Sequence, residues 1–205
     1  MKRLLFSLFA LISAFSLSAQ TEEQPILILV SIDGGRWDYV DKFQPSVLSE
    51  LARQGVSAER MLSGYPSKTF PNHYSIATGL RPESHGIVSN SIYDPSLDAT
   101  FTLRNGAPRE NRWWGGEPIW VTAEKQGLRS ASLFWPGSEA PIKGIRPSAY
   151  LPYQGSMTCG ERVDQVLDWL NRPATERPRF ITLYFDVVDT DGHTFGPTSP
   201  EVAAA

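Results

Sequence analysis

Ile26-Leu27-Ile28-Leu29-Val30-Ser31-Ile32-Asp33-Gly34-Gly35 decides the fold class. The aliphatic run is broken only by Ser31, entered from Pro25 and left through two glycines. That length and composition suit a strand covered on both faces, as in parallel sheets packed by helices. Residues 45–54 then read as a helix, with Val47, Leu48 and Leu51 on one side and Gly55 as its stop. Residues 56–61 read as a short strand, and residues 71–78 as a helix ended by Gly79. A second helix–strand pair follows at 118–126 and 130–135. Val163, Val166, Leu167 and Leu170 recur at helical spacing and lead into an apolar strand at 180–185. Such alternation predicts an α/β layer architecture with a mostly parallel central sheet. Residues 86–112 carry turn signals at Asp94-Pro95 and Asn105-Gly106 that suit a small hairpin, and residues 136–158 read as an irregular surface excursion.

The N-terminal end has a different character. Lys2 and Arg3 precede an apolar core at 4–15, and Ser16-Leu17-Ser18-Ala19 offers mostly small residues. This is the pattern of a signal peptide over residues 1–19, cleaved after Ala19 or, as a near rival, after Ser18. The apolar run falls short of the roughly 20 residues a spanning helix needs, so an exported protein with no stable membrane span is expected. It would be periplasmic in a bacterial host and secreted otherwise. The chain of 205 residues carries 19 Lys and Arg against 22 Asp and Glu, a formal net charge of -3. Without Lys2 and Arg3 the balance is 17 against 22, or -5. A surface without excess positive charge is not built to hold a nucleic-acid duplex. Cys159 is the only cysteine, so no internal disulfide forms.

Ligands of open α/β sheets gather at the carboxyl ends of the strands, and chemistry-bearing residues concentrate there. Asp33 follows the first strand, and Gly34-Gly35 lets the chain turn at once. Asp186, Asp189, Asp191 and His193 follow the last one. Asp189 and His193, four positions apart around Gly192, offer an oxygen and a nitrogen to one Zn²⁺, or else form a solvated acidic loop. In Ser67-Lys68-Thr69-Phe70-Pro71-Asn72-His73-Tyr74, Pro71 suits a first helical turn and disfavours helical geometry at Phe70. Thr69 is then expected in the turn just before a helix N-terminus, where free N–H groups favour anions. There it serves as a cap or, if activated, a nucleophile. His73 is expected to pack or to support the site from behind, and Trp113, Trp114 and Trp120 to form core and walls.

Taken together these blocks resemble the nucleotide pyrophosphatase/phosphodiesterase family of type I phosphodiesterases. The resemblance is carried by Asp33, the 68–74 segment, Thr78-Gly79-Leu80-Arg81-Pro82-Glu83-Ser84-His85-Gly86-Ile87 and Asn90-Ser91-Ile92-Tyr93-Asp94. Trp113-Trp114-Gly115-Gly116-Glu117-Pro118-Ile119-Trp120 and the Asp189 to His193 stretch followed by Phe195-Gly196-Pro197 complete it. It implies an alkaline-phosphatase-like layered α/β fold and a metal-dependent hydrolase that cleaves nucleotide pyrophosphate or phosphodiester bonds. It also implies two divalent cations, Zn²⁺ by family habit, and a small nucleotide or phosphodiester substrate. By resemblance Thr69 is the nucleophile that forms a covalent nucleotidyl intermediate, and Asp33 is a ligand of the metal that also binds Thr69. Asp189 and His193 are ligands of the second metal, and Asn90 donates to a phosphoryl oxygen. Phe70 and Tyr153 are the aromatic pair that sandwiches a nucleobase. Residues 20–205 correspond to the N-terminal portion of the catalytic domain. The family draws its remaining metal ligands from further downstream, so the C-terminal part is expected to be missing and the 205-residue chain alone to be inactive. The alternatives are a phosphomonoesterase of the same superfamily and a non-catalytic nucleotide-binding protein.

Overall fold

The computed structural model describes residues 25–205; the expected signal peptide at 1–19 lies outside them. The aliphatic run becomes β1 (Leu27–Ile32). Two short helices follow, α1 (Tyr39–Phe43) and α2 (Ser46–Gln54), the latter starting after Pro45 and ending at Gly55. Next come α3 (Thr69–Thr78), closed by Gly79 in the left-handed conformation, and the single turn α4 (Pro82–His85). The expected hairpin is present as β2 (Ser91–Asp94) paired antiparallel with β3 (Ala99–Thr102). Then α5 (Ile119–Lys125), β4 (Ser130–Leu133), β5 (Ala149–Leu151), α6 (Cys159–Leu170), β6 (Phe180–Phe185), α7 (Val187–Phe195) and α8 (Pro200–Ala204) complete the order.

The central sheet runs β1-β6-β4-β5, and every pairing in it is parallel. One face of β4 and β6, with Ala131, Leu133, Ile181 and Leu183, packs on Val166 and Trp169 of α6. A second core joins Tyr74 of α3, Trp120 and Val121 of α5, Phe101 of the hairpin and Trp113, Trp114 and Trp135. Each such aromatic residue contributes about 1.5–3 kcal/mol by leaving water. Trp113, Trp114 and Trp120 are thus core and wall residues, as expected, and Trp135 joins them. At α6, Thr158 and Glu161 form a reciprocal capping box. Thr158→Ala removes it and is expected to lower stability by about 1 kcal/mol in denaturant unfolding, with the fold unchanged.

Several expectations are corrected. Among the described residues β1 stands at the edge of the sheet, and Leu27, Ile28, Val30 and Ile32 are exposed there rather than covered on both faces. The α2 side chains Val47, Leu48 and Leu51 are likewise open. Residues 56–61 form no strand, because among the described residues no strand lies beside them to complete a ladder. Residues 136–158 are not a surface excursion: Ala140 and Ile142 are fully buried and Ala149–Leu151 is the fourth strand. In α6 the helix is as expected but its inner face is Arg162, Val166 and Trp169, while Val163 and Leu167 face out. Arg162 turns inward because three acceptors await it there.

Candidate active site

The parallel pairing of β1 with β6, in register Ser31 with Tyr184 and Ile32 with Phe185, places two acidic strand ends side by side. Asp33 N–H donates to Phe185 O at 2.8 Å, continuing the ladder by one bond. Gly34 adopts φ +71, and a Cβ there would lie 2.6 Å from Asp189 Cα. Only a glycine permits this approach of the β1 turn to the first turn of α7.

Above these strand ends sits the start of α3. Lys68, extended, is its N-cap, so Thr69 is the first helical residue and Phe70 the second. The expected turn position of Thr69 is therefore shifted by one step: Pro71 falls within the first turn, where no intrahelical donor is needed. Phe70 N–H is satisfied instead by Asn90 Oδ1 at 3.0 Å, which leaves the Asn90 Nδ2 as its free donor. Thr69 Oγ1 donates to Asp33 Oδ2 at 3.0 Å, and the same oxygen accepts Tyr184 OH at 2.7 Å. Burial and then the Asp33 carboxylate push the Tyr184 phenol far above its ordinary range, so it remains a donor.

His73 anchors the arrangement from below. Its Nδ1 bonds Thr69 O at 2.8 Å and its Nε2 bonds Ser31 Oγ at 2.7 Å. The carbonyl only accepts, so Nδ1 carries the hydrogen. The ring is buried edge-on between Trp135 and Tyr184, a supporting position of the kind expected. Asn72 fixes the preceding turn by accepting Gly64 N–H and donating to Pro66 O and Lys68 O.

Asp189 and His193 do not lie on a loop. They are one turn apart on α7, with His193 Nε2 3.5 Å from Asp189 Oδ1. Helical spacing does the aiming that a glycine-hinged loop was expected to do. Burial, and next the Asp33 charge, hold the Asp189 carboxyl above its ordinary range.

A cavity of about 330 Å³ opens here, lined by Thr69, Phe70, Asn90, Tyr153, Asp189 and His193 among others. Six of the seven site residues expected from sequence thus share one wall, and the seventh, Asp33, stands behind Thr69. The donor set suits Zn²⁺: carboxylate and hydroxyl at Asp33 and Thr69, carboxylate and imidazole at Asp189 and His193. Among the described residues no three His, Cys, Asp or Glu side chains gather around one point. Sequence reading missed Tyr184, Arg162 and Phe134. The signal for Tyr184 was a hydroxyl inside an otherwise apolar buried strand; Arg162 and Phe134 gave none.

A family model for type I phosphodiesterase / nucleotide pyrophosphatase matches residues 27–205. Human ectonucleotide pyrophosphatase/phosphodiesterase family member 1 is 48% identical over 185 residues, 89% of this chain and 20% of that protein. Venom phosphodiesterase 2 of Crotalus adamanteus is 48% identical over 186 residues, 89% of this chain and 23% of its own length. Among solved structures, murine ectonucleotide pyrophosphatase/phosphodiesterase 5 superposes with a TM-score of 0.82 at 33% identity, over 87% of this chain and 48% of that one. An inactive form of the same murine protein, carrying a threonine-to-alanine substitution and in complex with AMP, superposes with a TM-score of 0.82 at 32% identity, over 88% and 48%. The chain therefore spans about a fifth of the length of these curated relatives and about half of these solved chains.

Proposed function

Because the chain belongs to the type I phosphodiesterase/nucleotide pyrophosphatase family and has its alkaline-phosphatase-like α/β fold, we propose that it forms part of a metal-dependent hydrolase of nucleotide pyrophosphate and phosphodiester bonds. Thr69 is its nucleophile. The observation that carries this reading is the 3.0 Å contact between Thr69 Oγ1 and Asp33 Oδ2 at the start of α3, on the wall of the cavity that Asp189 and His193 also line. The relative whose threonine-to-alanine form is inactive and holds AMP supports a catalytic threonine and a nucleotide ligand.

In this mechanism the Thr69 oxygen attacks phosphorus, forming a Thr–O–P bond as the bond to the leaving-group oxygen breaks. Water then releases the nucleoside monophosphate. Asp33 aims the hydroxyl, and Tyr184, donating to the same carboxylate oxygen, keeps Asp33 in place. Asn90, its oxygen engaged by Phe70 N–H, donates its amide to a phosphoryl oxygen as negative charge builds there. Divalent cations, when bound by Asp33 with Thr69 and by Asp189 with His193, supply the positive charge that eases deprotonation of a hydroxyl and offsets phosphoryl charge. Phe70 and Tyr153 stack on the nucleobase, a contact that tolerates any base.

The ester class tests the reading. The full-length enzyme is expected to hydrolyse bis(p-nitrophenyl) phosphate at least about tenfold faster than p-nitrophenyl phosphate and to release a nucleoside monophosphate from a nucleotide diester. Preference for the monoester overturns it. Among the described residues no helix is long and apolar enough to cross a membrane. Relatives that include ectoenzymes and venom enzymes support export by way of a leader at residues 1–19.

A further inference from the structure

Tyr153 is only half buried, yet it is held on three sides. Its backbone N–H donates to Glu139 Oε1 at 2.9 Å, its hydroxyl donates to Asp186 Oδ2, and its ring meets the Phe134 ring edge-on with centroids 5.3 Å apart. Asp186 is fixed in turn by Arg162, whose Nη1 donates to Asp186 Oδ1 at 2.8 Å and to Tyr184 O at 3.1 Å. The Arg162 Nε donates to Met157 O at 3.1 Å.

Two unfavourable features meet under this one tyrosine. Arg162 is 2% exposed, and a buried guanidinium is tolerated only where its donors are matched and its charge is paired. Phe134 lies over that guanidinium at 5.0 Å and has φ +64. A bulky aromatic residue keeps a left-handed backbone only where its surroundings hold it there. Phe134 also belongs to the core, where it packs with Leu133, Val166 and Trp169, so its ring joins that core to the Tyr153 ring.

We propose that Arg162, Asp186 and Phe134 are positioning residues that brace the Tyr153 ring in the cavity wall as a preset stacking face for the nucleobase, an inference that rests on the nucleotide reading above. A free tyrosine loses rotamer freedom when it closes on a ligand, and a braced one has already lost it. The brace also removes the phenol from recognition. Burial and the Asp186 contact push Tyr153 up to about 12, so its hydroxyl stays a donor to Asp186, and the base meets only a ring face.

The test compares AMP with ribose 5-phosphate, which lacks the base, by calorimetric titration of the full-length protein. Tyr153→Phe deletes one oxygen and keeps the ring. It is expected to lower the preference for AMP over ribose 5-phosphate by about two- to tenfold. Asp186→Ala, which removes the acceptor of the Tyr153 hydroxyl altogether, is expected to do the same. The double variant should then show no further loss, since both changes cut one bond. If Asp186→Ala fails to fold, Tyr153→Phe alone decides. A wild-type preference in Tyr153→Phe, combined with a loss in Tyr153→Ala, overturns the brace and keeps the stacking. A wild-type preference in Tyr153→Ala overturns the stacking itself, and the brace with it.

Discussion

Thr69→Ala in the full-length enzyme is expected to lower kcat for phosphodiester hydrolysis by at least about a thousandfold while leaving the protein folded. The size follows from the proposed role, in which the oxygen removed is the atom that bonds to phosphorus. The fold is spared because Thr69 is not the helix cap. Lys68 holds that position, and alanine is at ease in a first helical turn. Asp33 Oδ2 loses one of two donors and keeps Tyr184 OH. A merely structural Thr69 predicts the reverse, a modest change in unfolding midpoint with turnover retained. Steady-state kinetics beside a thermal melt separates the two, and turnover within tenfold of wild type removes Thr69 as the nucleophile.

Gly34→Ala is expected to disrupt the site from beneath. The new Cβ would stand 2.6 Å from Asp189 Cα and 2.8 Å from Asp189 N, atoms of a helix backbone that cannot swing aside. The left-handed backbone at φ +71 adds roughly 1–2 kcal/mol, and relief of the clash about 1–3 kcal/mol. A total loss of about 2–5 kcal/mol in denaturant unfolding is expected. Relief requires the β1 turn to move from α7, which separates Asp33 from Asp189. A displacement of an ångström at reacting groups costs about a hundredfold in rate. Gly79 is the matched control: its φ is +69, with nothing within 4 Å of its would-be Cβ. Gly79→Ala should therefore show the backbone part of the stability loss without the loss of turnover. Equal turnover in the two variants would show that the approach of Gly34 to Asp189 does not set the site.

The sheet and most helices were legible because their signals are local. Proline entries, glycine exits and apolar periodicity marked α2, α3, α5 and β6 within a residue or two of their ends, and periodicity marked the presence of α6. What failed depended on neighbours. Whether β1 lies inside a sheet or at its edge is set by strand order, and the run Leu27–Ile32 reads the same either way. Residues 56–61 have strand composition but no pairing partner among the described residues. Arg162 reads as a surface residue on a helix whose apolar pattern points elsewhere; its burial is decided by carbonyls and a carboxylate more than twenty positions away. At the site the residue types were readable, and the resemblance gave their roles. Their supports were not, since Tyr184 beneath Asp33 and Phe134 beneath Tyr153 become neighbours only through the parallel crossovers.

The pairing of β1 with β6 has a consequence for how the sheet assembles. A strand that is aliphatic on both faces carries little information about alignment, because sliding it by one position replaces one hydrocarbon with another. Here such a slip would turn Ser31 away from the His73 ring and carry the Asp33 carboxylate about 3.3 Å from the hydroxyls of Thr69 and Tyr184. Three polar contacts would be lost together. The polar residues at the end of that strand and those facing them therefore discriminate the correct alignment from its misaligned neighbours, a task the hydrocarbon side chains of that strand are unable to perform.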